Sequence, residues 1–190
     1  MVRRLQPDLF APAPGPPGFA YRPDVISGGA EEELAGRLPA LPFEPFQFRG
    51  YEGRRRVVSF GLRYDFNGAG LVKAAPIPDW LLPLRAIAAD VAGVSADAFA
   101  HLLVNEYTAG APIGWHRDRA AFGKVVGISL LASTLMRFRR RTGARFERFS
   151  VPLEPRSAYL LDGPARCEWE HSLPPAAALR YSLTFRTLRQ

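Results

Sequence analysis

The sequence has 190 residues, of which 47% are hydrophobic, and it contains one cysteine. This length and apolar content suit one domain with a sizeable core, and a single cysteine excludes an internal disulfide and a cysteine-based zinc site. The 25 Lys and Arg against 18 Asp and Glu give a net charge of +7, which favours polyanionic partners, nucleic acid above all. No secretory signal or membrane-spanning stretch is apparent, so we expect a cytoplasmic protein that contacts no membrane.

The predicted elements change character along the chain. Residues 1–23 are rich in Pro, Gly and Ala and predict a flexible, extended arm, followed by a single domain over residues 24–190. SGGAEEELAGRLPAL predicts a short helix capped by Ser27, and PDWLLPLRAIAADVAG predicts a helix that ends at Gly93. The second half predicts short strands separated by turn residues: FAHLLVNEY, KVVGISLLAS, LMRFRRR, RFERFSVPL, SAYLLD, CEWEHSL and RYSLTFRTL. This order predicts a mainly β (α+β) fold, a β-sandwich or jelly roll with flanking helices.

The stretch IGWHRD carries the first candidate site. It places His116 and Asp118 two residues apart in a predicted strand, so both side chains should point to one face. His171, in WEHSLP, lies on another predicted strand. Two imidazoles and one carboxylate with open positions form the facial triad of non-haem Fe(II) oxygenases; zinc could bind a similar set, but no hydrolytic general base is near. The alternative is that all three are ordinary strand residues.

The last predicted strand has one polar face and one apolar face. Its polar face carries two arginines and two hydroxyls, Arg180, Ser182, Thr184 and Arg186. Two arginines at this spacing could clamp a small dicarboxylate, because each guanidinium fork matches a carboxylate. Asn105 and Tyr107 share a face of the strand before IGWHRD and could bond to the same ligand. The alternative is a solvent-facing strand with two arginines.

These segments together resemble a known family. LVNEYTAGAPIGWHRD, WEHSLP and RYSLTFRTL look like the AlkB family of Fe(II)/2-oxoglutarate dioxygenases, and RRRVVSFGLRYDF resembles its nucleotide-recognition segment. The resemblance covers about residues 51–188. It implies a double-stranded β-helix (jelly-roll) core over about residues 99–188 and a nucleotide-recognition segment over about residues 51–75. It also implies Fe(II) as cofactor, 2-oxoglutarate and O2 as cosubstrates, and oxidative dealkylation of bases in DNA or RNA by a monomer.

The resemblance assigns roles to particular residues. It assigns the iron to His116, Asp118 and His171. It assigns 2-oxoglutarate to the polar residues of two strands, Asn105, Tyr107, Arg180, Ser182, Thr184 and Arg186. Ser182 departs from the asparagine usual in the family, and Ala120 stands where repair members often have an acid that reads the damaged base. These departures leave the preferred base open.

The resemblance and the basic clusters also suggest substrate contacts. Tyr64 and Phe66 align with the segment that supplies aromatic residues to the base, and we predict that Phe66 stacks on a flipped base. Trp115 and Trp169 are predicted to wall the pocket. Two arginine clusters are predicted to hold phosphates, Arg54, Arg55 and Arg56 in one, and Arg137, Arg139, Arg140 and Arg141 in the other. Arginines that merely protect strand edges are the alternative.

Two other functions fit the same sequence. The chemistry could act on a protein side chain, a tRNA modification or a small molecule, although the basic charge argues against a small neutral substrate. Alternatively, the chain could be a nucleic-acid-binding module with a silent metal site. Turnover of 2-oxoglutarate separates this module from the enzymes, and a substrate panel separates the enzymes.

Overall fold

Antiparallel strands dominate the computed structural model, which describes residues 15–48, 50–65, 68 and 70–189. The helices in this part of the chain are Gly28–Arg37 (α1), Leu82–Ala92 (α2) and Gly163–Cys167 (α3), with 3-10 turns at Leu38–Ala40, Asp79–Leu81 and Ala96–Ala98. The strands are Phe19–Arg22 (β1), Glu44–Phe48 (β2), Tyr51–Phe60 (β3), Leu62–Asp65 (β4), Gly70–Lys73 (β5), Phe99–Tyr107 (β6), Ile113–His116 (β7), Phe122–Leu130 (β8), Thr134–Thr142 (β9), Arg145–Leu153 (β10), Ala158–Leu161 (β11), Glu170–Leu173 (β12) and Arg180–Leu188 (β13). No helix in these residues is long and apolar enough for a membrane span.

The strands form two facing sheets and a separate hairpin. The larger sheet has the order β1-β11-β8-β13-β6-β3-β2, and the smaller has the order β10-β9-β12-β7. Neighbouring strands are far apart in sequence at most positions, as in a jelly roll. Within the described residues, strands β4 and β5 pair with each other and with no other strand. This architecture places one layer of side chains between the two sheets.

Both predicted major helices are present and cover the outer side of the larger sheet. Helix α1 begins after Ser27, whose hydroxyl accepts a hydrogen bond from the amide of Ala30 at 3.2 Å. Helix α2 ends at Gly93, which adopts the left-handed conformation that favours glycine. One apolar core lies between these helices and the sheet, and a second lies between the two sheets. The apolar packing between the two sheets is therefore interrupted wherever polar side chains point into it.

Strand β13 brings such polar side chains between the sheets. It lies in the centre of the larger sheet, between β8 and β6, and is buried from Arg180 to Thr187. Tyr181, Leu183 and Phe185 pack in the core under the helices, which confirms the predicted apolar face. The opposite, polar face points between the sheets. Buried polar groups need partners, so this face marks a polar site inside the fold.

The structure differs from the predicted elements in three places. Phe19–Arg22 pairs with β11 as an edge strand, so the predicted flexible arm is wrong for these residues. The predicted strand CEWEHSL begins only at Glu170, because Asp162 caps a short helix with Pro164 in its first turn. Strand β7 ends at His116, so Asp118 lies in the following loop and not on the strand.

Candidate active site

A cavity between the two sheets collects most of the predicted iron and cosubstrate residues. Its polar lining consists of Arg55, Asn105, Tyr107, His116, Asp118, Tyr159, His171, Thr184 and Arg186. Its apolar lining consists of Leu103, Ile113, Met136 and Leu173. The cavity thus joins residues from both sheets that are up to 131 positions apart, Arg55 and Arg186 among them.

Strand pairing brings the two histidines together. His116 of β7 lies directly opposite His171 of β12, and their ring centroids are 4.3 Å apart. The Nδ1–H of His116 donates to the carbonyl of Gly114 at 2.9 Å, which leaves its Nε2 as the atom with a free lone pair. Asp118 reaches the same place from the loop, with 3.7 Å between its Oδ2 and Nε2 of His171.

Arg186 holds the carboxylate of Asp118. Its Nε and Nη2 both donate to Oδ1, at 3.0 and 2.8 Å, so Oδ2 remains directed towards His171. Burial alone would raise the pKa of Asp118, but the guanidinium of Arg186, with smaller contributions from His171, His116 and Arg166, holds it well below its usual range. The carboxylate is therefore ionised at neutral pH.

Burial keeps both imidazoles neutral. It lowers the pKa of His171 to about 3, with a further contribution from His116, and it also lowers the pKa of His116. Neutral imidazoles and an ionised carboxylate are the protonation states that metal ligands require. No three His, Cys, Asp or Glu side chains in the described residues are already spaced as an assembled metal cage. The three groups nevertheless line one cavity, and their chemistry fits Fe(II).

The surroundings of Arg180 show whether this region suits an anionic ligand such as 2-oxoglutarate. It lies opposite Tyr107 in the pairing of β13 with β6, and its guanidinium is 5.0 Å from the centroid of that ring. Its Nε and Nη2 donate to the hydroxyl of Ser129, at 3.2 and 2.9 Å, whereas Nη1 has no partner among the described residues. Because Arg180 is only 1% exposed, an unpaired charged N–H group there calls for an anion. A carboxylate of 2-oxoglutarate fits this requirement.

The remaining predicted cosubstrate residues lie nearby on the same two strands. Asn105, Tyr107 and Thr184 line the cavity. Ser182, opposite Asn105, and Arg180, opposite Tyr107, are buried beside it and are not part of the cavity wall. Sequence alternation placed these residues on one face but could not show which of them reach the cavity.

The predicted substrate residues are scattered. Arg55 lines the cavity, donates to Oδ1 of Asn105 at 3.3 Å and lies 3.7 Å from the centroid of the Phe46 ring. Arg56 points to the opposite side of the sheet, where it is paired with Glu106, and Arg54 is exposed.

Three of the four predicted aromatic residues, Tyr64, Trp115 and Trp169, are not part of the cavity wall. Tyr64 lies on β4 beneath the guanidinium of Arg119, at 4.7 Å, and Phe66 lies outside the described residues. Trp115 faces the outside of the smaller sheet under Arg139, and Trp169 is buried in the inter-sheet core under Arg140. The structure therefore does not bring Trp115 or Trp169 to the pocket that they were predicted to wall.

Tyr159 was missed by sequence reasoning. It lies on β11 and lines the cavity. SAYLLD predicts a strand, but alternation alone does not tell which face of that strand points inward.

Comparison with known proteins identifies the family. The family model described as the 2OG-Fe(II) oxygenase superfamily matches residues 45–186. Human DNA oxidative demethylase ALKBH2 is 32% identical over 142 residues, which are 67% of this chain and 53% of that protein. An uncharacterized protein of Acanthamoeba polyphaga mimivirus is 30% identical over 100 residues, 46% of this chain and 47% of that protein. The chain spans about half the length of these curated relatives.

A solved structure shows the same fold. The structure of OsALKBH1 matches with a TM-score of 0.68 over 90% of this chain and 98% of that chain, at 16% identity. This similarity confirms the predicted jelly roll. The chain belongs to the 2OG-Fe(II) oxygenase superfamily and, within it, to the AlkB family. This membership implies Fe(II), 2-oxoglutarate and O2, the cofactor and cosubstrates that the sequence predicted.

Proposed function

We propose that this chain removes alkyl groups from nucleobases in DNA or RNA by Fe(II)- and 2-oxoglutarate-dependent oxidation. One observation carries the chemistry: His116, Asp118 and His171 line a single cavity together with four of the residues predicted to hold the cosubstrate, Asn105, Tyr107, Thr184 and Arg186. The name of the human relative, a DNA oxidative demethylase, supports the substrate class.

In this proposal His116, Asp118 and His171 hold the iron. Gly114 fixes the ring of His116 so that Nε2 faces the cavity, and Arg186 fixes Asp118 so that Oδ2 does the same. Bound iron and 2-oxoglutarate supply the oxidation of the substrate by O2, which no protein side chain can perform. The protein contributes ligands in the correct protonation state before the metal arrives.

Two arginines hold the 2-oxoglutarate in this proposal. Arg180 takes the distal carboxylate with its unpaired Nη1, and Arg186 lies at the end nearer the metal because it already contacts Asp118. Tyr107 stacks against Arg180 and limits the movement of its guanidinium. Asn105 and Thr184 add neutral hydrogen-bonding groups between them.

The nucleic acid is held outside the cavity. Arg55 lines the cavity and has its guanidinium stacked on Phe46, which favours contact with the substrate near the iron. Exposed arginines of β9 and β10 provide phosphate contacts that do not depend on sequence. Tyr64, with Arg119 over its ring, is the aromatic residue of the hairpin β4–β5 that we propose approaches the base.

The test is mass spectrometry on an oligonucleotide that carries 1-methyladenine or 3-methylcytosine. The oligonucleotide is incubated with the protein, Fe(II), 2-oxoglutarate and ascorbate. We expect the loss of one methylene mass together with succinate formation, and we expect H116A to abolish both. The control is S133A, which changes an exposed residue of the turn between β8 and β9 and should keep both products at the wild-type level.

The outcomes separate the competing functions. Succinate without a mass change would overturn the nucleobase substrate and favour a protein, tRNA-modification or small-molecule substrate. Neither succinate nor product, in protein that is folded and loaded with iron, would overturn the enzyme and favour a silent nucleic-acid-binding module.

A further inference from the structure

Tyr159 contributes a phenol group to the wall of the proposed cosubstrate cavity. The residue is 9% exposed and packs in the inter-sheet core. A tyrosine that only fills a core could equally be a phenylalanine. The surroundings of its hydroxyl therefore decide whether it has another role.

Strand pairing places this tyrosine beside the cosubstrate strand. Tyr159 on β11 lies opposite Gly127 on β8, and Gly127 lies opposite Thr184 on β13. Residues directly opposite in antiparallel strands point to the same face of a sheet, so the three positions form one row facing the cavity. Thr184 lies between the two clamp arginines along β13, and the row therefore ends where 2-oxoglutarate is proposed to lie.

Gly127 provides the space that the phenol ring occupies. A Cβ atom at Gly127 would lie 2.3 Å from Cζ and 2.5 Å from the hydroxyl oxygen of Tyr159. Any side chain at position 127 would thus collide with the tip of the ring. The ring consequently crosses over β8 towards β13, with its hydroxyl leading.

The hydroxyl is available as a donor. No residue in the described part of the chain makes a hydrogen bond with it. Burial, with contributions from Tyr107 and Asp118, raises the pKa of Tyr159 to about 12, so the phenol stays protonated at neutral pH. A neutral O–H group beside two guanidinium groups can donate to the same anion that they bind.

We infer that Tyr159 donates a hydrogen bond to a carboxylate of bound 2-oxoglutarate, from a position that Gly127 keeps open. This inference rests on the proposed function, because it requires 2-oxoglutarate in this cavity. Tyr159 is then a binding residue for the cosubstrate and has no part in choosing the nucleobase.

The test measures 2-oxoglutarate binding directly by calorimetry on the iron-loaded, full-length protein without oxygen. We expect Y159F to raise the Kd by about tenfold, the size of one hydrogen bond to a charged group. The melting temperature should change little, because the phenyl ring still covers Gly127. G127A should also raise the Kd, because the added methyl group displaces the phenol.

Y181F is the matched control. Tyr181 is also a buried tyrosine, but it lies on the other face of the sheet, where its hydroxyl donates to Glu106 at 3.0 Å. We expect its loss to lower stability and to leave the Kd of 2-oxoglutarate unchanged.

The outcomes distinguish this inference from the proposed function. A wild-type Kd in Y159F would overturn the role of Tyr159 even if the wild-type protein dealkylates nucleobases. A tenfold weaker Kd in Y159F, with no dealkylation by the wild type, would support the role and overturn the nucleobase substrate. No binding of 2-oxoglutarate by iron-loaded wild type would overturn both.

Discussion

His101 orients one of the two clamp arginines. It lies opposite Arg186 in the pairing of β6 with β13, and Nη1–H of Arg186 approaches its Nδ1 at 3.4 Å. Its ring stacks on Phe122, with centroids 4.9 Å apart and planes 13° from parallel. Burial, followed by the charge of Arg186, lowers the pKa of His101 to about 3. His101 is therefore a neutral hydrogen-bond acceptor for Arg186, which in turn donates to Asp118.

The buried histidines should make the metal-free protein less stable in mild acid. Their pKa values are about 3 for His101 and His171 in the folded state and about 6.5 when unfolded. Between pH 3 and pH 6.5 the unfolded chain therefore binds more protons than the folded protein. The free energy of unfolding is unaffected by these two groups above pH 6.5 and decreases as the pH falls towards 3. Well below pH 6.5, each group should lower the free energy of unfolding by up to about 1.4 kcal/mol per pH unit. Urea unfolding between pH 7.5 and 4.5 measures this slope.

H101F separates the contribution of His101 from the rest. Phenylalanine keeps the ring over Phe122 but cannot take up a proton, so the slope should fall by about 1.4 kcal/mol per pH unit at its steepest. The absolute stability can also fall, because Arg186 loses an acceptor, and only the slope is diagnostic. An unchanged slope would show that His101 already carries its charge in the folded protein.

At the scale of elements, Glu106 joins three strands beneath the helices. It is 4% exposed on β6, and its carboxylate accepts from Nε and Nη2 of Arg56 on β3, at 2.7 and 3.0 Å. The hydroxyl of Tyr181 on β13 donates to the same carboxylate at 3.0 Å. Arg56 thus stabilises the sheet on the side away from the cavity, although it belongs to a cluster predicted to hold phosphates.

R56M should therefore lower stability without weakening the contact with nucleic acid. Removal of Arg56 leaves the Glu106 carboxylate largely buried, with Tyr181 as its one remaining donor among the described residues, and we expect a loss of about 2 kcal/mol in the free energy of unfolding. R54M removes the same charge from an arginine that has no ion pair with another described residue, and it should change stability by less than about 0.5 kcal/mol. Urea unfolding and oligonucleotide binding of both variants test this. The prediction would be contradicted if the two variants had equal free energies of unfolding, or if R56M bound the oligonucleotide more weakly than R54M.

Alternation within strands was predictable, whereas pairing between strands was not. The two-residue period of a strand placed Asn105 and Tyr107 on one face, and Arg180 and Arg186 on one face. Applied to the arginine cluster, the same rule puts Arg55 and Arg56 on opposite faces. The position of His116 opposite His171 depends on the register of β7 with β12, which contacts far apart in sequence determine. Tyr159 over Gly127 depends on such pairing too, and no local pattern indicates it.

At the scale of the whole molecule, one face carries a group of arginines from neighbouring strands. Arg137, Arg139 and Arg141 alternate along β9 on the outside of the smaller sheet, and Arg148 lies opposite Arg139 on β10. Arg139 stacks on Trp115 at 4.4 Å, and Arg148 lies 5.6 Å from the ring centroid of Phe146. Strand alternation thus directs these arginines away from the core and towards solvent, where we propose that they contact the nucleic acid.

Removal of charge from this face should reduce the salt dependence of nucleic-acid binding. A single-stranded DNA contact through Arg141 and Arg148, both exposed, contributes about 0.7 per phosphate to the slope of log Kd against log salt concentration. The double variant R141S and R148S should therefore bind more weakly at low salt and lose about 1.4 from the slope. Fluorescence anisotropy over a range of salt concentrations measures both quantities.

The matched control removes the same charge from another face. Arg22 and Arg37 are paired with Asp90 and Glu33 near the helices, so the double variant R22S and R37S should keep the wild-type slope. Equal losses in both double variants would mean that total charge attracts the DNA and that no particular face binds it. A loss confined to R141S and R148S would locate the phosphates on the smaller sheet. Because Trp115 on this face adjoins His116 in β7, whose side chain enters the cavity, such a strand would pass close to the proposed iron site.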